Sequence, residues 1–183
     1  MPWPRMEPIV TARCSLEPLS PAHAPVMVDV LADARLYEFI GGEPPSLNQL
    51  QRQYAAQSVG TSADQQQWWC NWIITMLGEH RPVGYVQATV EEGDGLLQAD
   101  LAWVVQPGDQ GRGLATEAAR AMVDWLGQRG VTRYSAYIHP EHAASAHVAT
   151  RLGMHQTSVV EDGEFLWEHD SSRLNQGAPT ASR

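Results

Sequence analysis

The sequence contains no lysine, and the twelve Lys+Arg positions among its 183 residues are all arginine. This absence excludes the phosphate loop of nucleotide hydrolases, which requires a lysine after its second glycine. Cysteine is also scarce, since Cys14 and Cys70 are the only two. Their spacing fits neither a metal site nor a disulfide framework, so we expect the protein in a reducing cytoplasm.

Long apolar runs and positive charge are equally scarce. No run approaches the ~18 apolar residues of a membrane span, and residues 1–6 lack the hydrophobic segment of a signal peptide behind them. The net charge is −9, without a basic stripe of the kind that binds phosphate backbones. We therefore expect neither a membrane nor a nucleic acid as a partner. The acidity would attract a cationic substrate, and it would equally serve solubility alone.

The length of the chain fits one well-buried domain of the α/β (α+β) class. Hydrophobic periodicity and cap residues predict the order β-α-α-β-β-β-α-β-α-β-β. The predicted strands are 11–19, 68–76, 83–90, 96–105, 131–138 and two weak segments within 156–170; the predicted helices are 22–39, 47 to about 58 behind the N-cap Ser46, 115–129, and one that ends at Leu152. We place a single domain at residues 10–170, with flexible termini at 1–9 and 171–183.

The most informative segment runs from Val104 to Ala119. An apolar run ends at Pro107-Gly108, a loop with Gly111 and Gly113 follows, and an alanine-rich helix begins at once. Glycines leave the backbone bare, so N–H groups near a helix N-terminus can converge on an anion. The dinucleotide fingerprint does not fit, because it needs three glycines in a different register. Two interpretations of the segment remain, a phosphate-binding site of another kind or a purely structural turn between strand and helix.

This segment resembles the pyrophosphate loop of the GNAT acetyltransferases, which bind coenzyme A. The likeness rests on Gln110-x-x-Gly113-x-Ala115 and continues through the flanking runs Ala102-Trp103-Val104-Val105 and Leu114-Ala115-Thr116-Glu117-Ala118. The predicted element order is also the GNAT order. The branch of ribosomal-protein N-terminal acetyltransferases is the most similar in motif. Ser145 matches its Asn-x-x-Ser pattern, whereas His142 stands where that branch has asparagine.

The resemblance implies a GNAT fold, a mixed and mostly antiparallel sheet of about seven strands flanked by about four helices. It also implies acetyl-CoA as the cosubstrate. Main-chain groups of Val104 and Val105 would pair with the pantetheine arm, and one N–H there would polarise the thioester carbonyl. The loop would bind the pyrophosphate, with a charge-assisted contact from Arg112. The residues expected to bind the cosubstrate are Val104, Val105, Gln110, Gly111, Arg112, Gly113, Leu114, Ala115, Thr116, His142 and Ser145.

Asp100, Ser145 and His142 are the catalytic candidates. Asp100 lies four positions before Val104 and shares its face of the strand, so we expect it to act as the general base; a solvated edge carboxylate is the alternative. Ser145, near a helix start, would donate a hydrogen bond to the leaving thiolate. His142 titrates near neutrality and would donate to the thiolate or to the pantetheine amides. A residue that faces solvent is the alternative for His142.

The acceptor site is less well defined by the sequence. Trp68, Trp69 and Trp72 form either a wall that stacks on the acceptor or part of the core and a dimer interface, so a homodimer stays open. Glu38 is a further candidate for substrate binding, without a geometric argument. The histidines show no ligand spacing, and we expect no metal.

The sequence therefore predicts an N-acetyltransferase that moves an acetyl group from acetyl-CoA to a primary amine by direct attack in a ternary complex. The acceptor would be a protein or peptide α-amine, or a small molecule such as an aminoglycoside antibiotic. A non-catalytic acyl-CoA-binding or sensor module is the rival interpretation. A third is a chain whose glycine loop binds no nucleotide.

Overall fold

A single sheet of eight strands organises residues 3–170, the part of the chain that the computed structural model describes. The strands are β1 (Ile9–Val10), β2 (Cys14–Pro18), β3 (Gln67–Met76), β4 (Arg81–Gly93), β5 (Leu96–Val105), β6 (Val131–Ile138), β7 (His155–Glu161) and β8 (Glu164–Asp170). Their order in the sheet is β1-β2-β3-β4-β5-β6-β8-β7. Every neighbouring pair is antiparallel except β5 and β6, which run parallel. The predicted element order and mixed sheet are confirmed, with β1 as an additional short strand.

In the described part of the chain, four α-helices cover the two faces of the sheet. They are α1 (Ala24–Val30), α2 (Leu47–Gln57), α3 (Leu114–Gly127) and α4 (Ala143–Arg151), and short 3-10 turns lie at Pro21–His23, Ala34–Tyr37 and Pro107–Asp109. The longest helix, α3, has 14 residues. Within residues 3–170, no helix combines the length and the apolar character that crossing a membrane requires.

The helix predicted over 22–39 is wrong in its second half. The α-helix ends at Val30, and Asp33 adopts an extended conformation with ψ of 118°. Its carboxylate accepts a hydrogen bond from the Arg35 N–H at 2.9 Å, which starts the 3-10 turn Ala34–Tyr37. Aspartate side chains compete in this way with helical hydrogen bonding. The interruption redirects the chain, so that residues 35–40 reach the cleft described below.

Local signals located several other elements correctly. Ser46 accepts a hydrogen bond from the Gln49 N–H and caps α2, as expected. The predicted strands 96–105 and 131–138 coincide with β5 and β6. Gly153 has a φ of 81°, which few residues other than glycine adopt, and the chain leaves α4 there.

Alternation along β3 divides the core between the two faces of the sheet. Trp68 and Trp72 belong to the cluster that includes α3 and α4, whereas Ile73 belongs to the cluster of α1 and α2. Trp72 is fully buried and packs edge-on against Trp125 of α3, with ring centroids 5.0 Å apart. Successive strand residues point to opposite faces, so this β3 sequence needs helices on both sides.

Residues 3–9 differ from the expected flexible terminus. Trp3 stacks on Trp68 with ring centroids 4.9 Å apart. The carbonyl of Glu7 accepts a hydrogen bond from the indole N–H of Trp72 at 2.9 Å. The segment is therefore packed on the core of the domain, because two indole rings from β3 offer it apolar surface and a hydrogen-bond donor. The flexible terminus predicted over 171–183 lies outside the described residues.

Candidate active site

Strands β5 and β6 diverge after a short parallel contact. Their register begins with Leu97 opposite Val131 and ends with Asp100 opposite Ser135. Beyond that point β5 continues to pair with β4, and β6 continues to pair with β8. The facing edges of residues 101–105 and 136–138 separate, and a cleft of about 540 Å³ lies between them.

The main chain of β5 offers hydrogen-bonding groups to this cleft. The Gln106 N–H bonds to a carbonyl of β4, whereas the Val105 carbonyl accepts from the side-chain amide of Gln110 at 2.8 Å. Successive residues of a strand turn their main-chain groups toward opposite neighbours. Trp103 and Val105 therefore face the cleft with their main chain, which corrects the role expected for Val104. The Val104 main chain faces β4.

Gly84 on β4 permits a close approach of the two strands beside the cleft. A Cβ at this position would lie 1.9 Å from the carbonyl oxygen of Val104, which no side chain can tolerate. The register between β3 and β4 shifts next to Gly84, between Ile74 and Thr75. The sequence gives no signal for this glycine. It sets the position of the β5 residues that border the cleft.

The predicted phosphate loop lies at the mouth of the cleft. After the turn Pro107–Asp109, Gly111 and Gly113 both adopt the left-handed conformation, with φ of 72° and 77°. The Glu117 N–H is the first to bond back within α3, to the Gly113 carbonyl at 3.0 Å. The N–H groups of residues 114–116 precede it and have no partner within the helix. Such a helix start is suited to an anion.

A buried carboxylate holds the start of this loop. Asp109 is 4 % exposed and accepts hydrogen bonds from Arg81 at 2.7 and 3.0 Å, from Arg112 at 2.8 Å and from the Gln106 amide. Hydrogen bonds from Arg81 lower the pKa of Asp109 to about 2, against its partial desolvation. Arg112, expected at the pyrophosphate, is thus held by Asp109 while its side chain stays half exposed.

A second ion pair holds the first turn of α3. Glu117 accepts two hydrogen bonds from Arg13, one from the main-chain N–H at 2.9 Å and one from the guanidinium at 2.7 Å. It accepts a third from the Thr11 hydroxyl at 2.7 Å. Arg13 also donates to the Arg112 carbonyl at 2.8 Å, and its guanidinium lies next to Gly113. Sequence reasoning missed Arg13, Arg81 and the role of Asp109. Their ion pairs, Arg13 with Glu117 and Arg81 with Asp109, join residues far apart in the sequence.

Asp100 lies where the cleft closes. It accepts a hydrogen bond from the Ser135 hydroxyl at 3.1 Å, across the last paired position of β5 and β6. Desolvation by the surrounding protein raises the pKa of Asp100, while the Ser135 hydrogen bond opposes this rise. Asp100 opens onto a groove on the α1/α2 face of the sheet, and Tyr137 lines both this groove and the cleft.

His142 and Ser145 meet at the start of α4. The Ser145 Oγ lies 3.4 Å from the His142 Nε2, and both residues line the cleft. The ring of Phe39 stacks on His142 with centroids 4.7 Å apart. Burial and the neighbouring His139 lower the pKa of His142, and Glu38 opposes this change. His142 is therefore partly buried in the cleft wall and is not the solvent-facing residue of the alternative interpretation.

The structure corrects the acceptor wall expected from the tryptophans. Trp68 and Trp72 are buried in the core, as the alternative to an acceptor wall predicted. Trp69 lies half-buried on the opposite face of β3 and donates its indole N–H to Gln67 at 3.3 Å. None of the three lines the cleft, whereas Glu38 does. Alternation along β3 explains this, because the first and third tryptophans share one face.

The cysteines take no part in the site. Cys14 and Cys70 are both free and buried, and burial raises the pKa of both thiols. Among residues 3–170, no group of three or more His, Cys, Asp or Glu side chains is arranged to hold a metal ion. The groups that line the cleft include the carboxylate of Glu38, the imidazole of His142 and the hydroxyl of Ser145.

The fold and the cleft together define a protein with an acetyltransferase architecture. Residues 13–155 match the family model described as an acetyltransferase (GNAT) domain. The chain belongs to the GNAT acetyltransferase family. No curated protein sequence matches it as a relative.

Solved structures share the fold at low sequence identity. An acetyltransferase of the GNAT family from Bacillus anthracis is 16 % identical, with 91 % of this chain and 99 % of that chain covered and a TM-score of 0.72. The ribosomal L7/L12 α-N-protein acetyltransferase RimL, in complex with coenzyme A, is 15 % identical over 90 % and 98 % of the two chains, with a TM-score of 0.74. AAC(6')-Ib in complex with paromomycin and acetyl-CoA is 20 % identical over 92 % and 99 %, with a TM-score of 0.72.

The Asp109 network predicts a pH-dependent loss of stability in Asp109→Asn. We expect this variant to lower the free energy of unfolding by about 2 kcal/mol at pH 7. The folded-state pKa is depressed to about 2, so the stabilisation is complete above the unfolded pKa and disappears as the pH falls from about 4 toward about 2. Urea unfolding at a series of pH values measures the difference.

Asp94→Asn is the matched control, because Asp94 is exposed and its ion pair with Arg133 is long, at 3.7 Å. It should change stability by less than about 0.5 kcal/mol at every pH. A difference between the wild type and Asp109→Asn that stays constant down to pH 2.5 would contradict the ionic role of Asp109.

Proposed function

We propose that the protein transfers the acetyl group of acetyl-CoA to a primary amine, by direct attack within a ternary complex. The observation that carries this proposal is the continuity of the cleft. Its lining includes Gln110 and Ala115 at the phosphate loop, the β5 edge, and His142 and Ser145 on α4. Next to its closed end, the pair Asp100 and Ser135 lines the neighbouring groove, and Tyr137 lines both spaces. One elongated cosubstrate could contact all of the groups that line the cleft.

The loop residues fit the pyrophosphate of coenzyme A. The free N–H groups of 114–116 and the left-handed glycines supply main-chain donors at a helix N-terminus. The main-chain groups of Trp103 and Val105 would form hydrogen bonds with the pantetheine arm, which would lie along β5 like an additional strand. The structures of RimL and AAC(6')-Ib named above contain coenzyme A or acetyl-CoA, which supports this cosubstrate.

Each chemical step has a candidate group in the cleft or beside it. Asp100 lies four residues before Val104 on β5, about 13 Å along the strand. Its carboxylate accepts the proton of the amine through a chain of water molecules, as the nitrogen bonds to the thioester carbon. A main-chain N–H of β5 stabilises the developing oxyanion. As the carbon–sulfur bond breaks, His142 or Ser145 donates a hydrogen bond to the departing thiolate. No covalent enzyme intermediate is needed.

The acceptor is a protein or peptide α-amine, or a small-molecule amine. An α-amine has a pKa of about 8, against about 10.4 for a lysine amine, so it needs a weaker base. One structural neighbour is named for a protein α-amine and another contains paromomycin, which supports amines of both kinds. The cytoplasmic location and a homodimer stay predictions.

Thiol release from acetyl-CoA with a panel of amines tests the function. We expect release that depends on the amine, with equimolar acetylated product found by mass spectrometry. The panel contains an aminoglycoside, an aliphatic amine and peptides with free and blocked N-termini. Coenzyme A that raises the melting temperature without thiol release would instead favour the acyl-CoA-binding module. No melting shift would contradict binding at the loop.

The glycine loop offers a matched pair of variants for coenzyme A binding. A Cβ at Gly108 or at Gly111 would meet no atom within 4 Å, but only Gly111 has a positive φ, of 72°. Gly111→Ala should therefore strain the loop and weaken coenzyme A binding about tenfold. Gly108→Ala should change it less than about twofold. Calorimetric titration measures both, and equal effects would contradict the loop as the binding site.

Asp100→Asn should lower kcat/KM by about 10²–10⁴ without weakening coenzyme A binding. Ser135→Ala removes a hydrogen bond that lowers the pKa of Asp100. The base is active when deprotonated, so the acid limb of the pH profile of kcat/KM should move to higher pH in this variant. An unchanged pH profile and full activity in Asp100→Asn would mark Asp100 as a solvated edge carboxylate.

A further inference from the structure

Residues 35–40 connect the α1/α2 side of the domain to the wall of the cosubstrate cleft. Leu36 packs on the apolar cluster of α1 and α2. The Tyr37 hydroxyl donates to the Leu31 carbonyl at 2.9 Å, and the Tyr37 carbonyl accepts from the Gly41 N–H at 3.0 Å. These contacts hold the segment on the α1 side, so that its next residues reach the cleft from a fixed position.

Phe39 makes the contact between this segment and the start of α4. Its ring stacks on the ring of His142, with centroids 4.7 Å apart and an angle of 20° between the planes. The same ring meets that of His139 at 5.3 Å in a tilted arrangement. All three residues line the cleft. Phe39 therefore packs directly on a candidate hydrogen-bond donor, although no step of the proposed transfer involves it.

The imidazole of His142 has few other contacts that could fix its orientation. Its main chain is held, because the N–H bonds to the His139 carbonyl at 2.9 Å and the carbonyl accepts from the Ala146 N–H at 3.1 Å. Its side chain does not cap α4. Among the described residues, the one hydrogen-bond partner of the ring is Ser145, whose Oγ lies 3.4 Å from Nε2, which is long. Rotation of a histidine ring about its Cβ–Cγ bond is soft, so the face-to-face contact with Phe39 fixes the plane of the ring.

We propose that Phe39 is a positioning residue, whose ring fixes the plane of the His142 imidazole so that His142 and Ser145 together present a hydrogen bond to the sulfur of coenzyme A. This inference rests on the proposed function, in which one of these two residues donates to the departing thiolate. A donor that is already in place needs no reorganisation as charge develops on the sulfur. A misplacement of about 1 Å can lower a rate by a factor of about 100. Phe39 thus acts on the rate of transfer through His142.

Phe39→Leu tests this role, because it keeps an apolar side chain and removes the flat face. We expect kcat to fall about tenfold while the KM of acetyl-CoA stays within about twofold, since the lost contact holds a donor and not the cosubstrate. Phe39→Tyr keeps the ring and should restore kcat to within about twofold of the wild type. Equal losses in Phe39→Leu and Phe39→Tyr would overturn the positioning role.

Phe165→Leu is the matched control, because Phe165 is the only other phenylalanine of the chain. It lies half-buried on β8, outside the residues that line the cleft. The same substitution there should leave kcat and KM unchanged. A tenfold loss of kcat in Phe165→Leu would show that any loss of an aromatic ring is enough, and would overturn the assignment to Phe39.

A double-variant cycle separates positioning from a general effect on the cleft. His142→Ala removes the imidazole, so Phe39→Leu should lower kcat by less than about twofold in that background. The melting temperature of each variant shows whether the fold is kept. A tenfold loss that persists without His142 would show that Phe39 does not act through it.

The NMR signal of His142 gives a readout that needs no turnover. Protons above the face of an aromatic ring resonate upfield, so the signal of the His142 Cε1 proton should move downfield in Phe39→Leu and keep its position in Phe39→Tyr and Phe165→Leu. His142→Ala identifies the signal by its loss. Coenzyme A should move it in the wild type, and desulfo-coenzyme A, which lacks the sulfur, should move it less.

The outcomes separate the positioning role from the proposed function. Acetylation of amines with an unchanged His142 signal and an unchanged kcat in Phe39→Leu would overturn the positioning and keep the function. A His142 signal that depends on Phe39 and responds to the sulfur of coenzyme A, without acetylation of any amine, would keep the positioning and overturn the function. A signal that depends on neither, again without acetylation, would overturn both.

Discussion

The parallel contact between β5 and β6 ends at Asp100 and Ser135, and the position of this end determines where the site lies. A sheet normally satisfies its main-chain groups by continuous pairing. Here the divergence leaves one edge of β5 facing a cleft, held on its other edge by β4 and by the close approach at Gly84. The cosubstrate cleft and the position of Asp100 follow from that divergence.

The loop at the mouth of the cleft is organised by arginines around acidic side chains. Asp109 gathers Arg81 and Arg112, and Glu117 gathers Arg13. In a chain without lysine, these guanidinium groups hold the loop in shape through paired hydrogen bonds with defined geometry. The main-chain N–H groups of 114–116 are left available, because the arginines bind carboxylates and carbonyls instead of covering the helix start.

Sequence patterns located most elements and missed particular contacts for physical reasons. Alternation and turn residues placed β5 and β6, and the capping serine placed α2, because these signals act over a few residues. The helix predicted over 22–39 failed at Asp33, whose carboxylate favours a turn over the helix. The sequence left two roles open for Trp68 and Trp72, an acceptor wall or the core. Their packing against Trp125 in the folded structure shows that they belong to the core.

The sequence by itself determined the glycine loop, the helix that follows it and hence the likeness to a coenzyme A site. These features depend on local backbone freedom and on the first turn of one helix. Only the tertiary structure decided which groups surround that site. The pairing of Arg81 with Asp109 and of Arg13 with Glu117 joins residues from distant parts of the chain. Their contacts follow from strand order and helix packing, which no local pattern encodes.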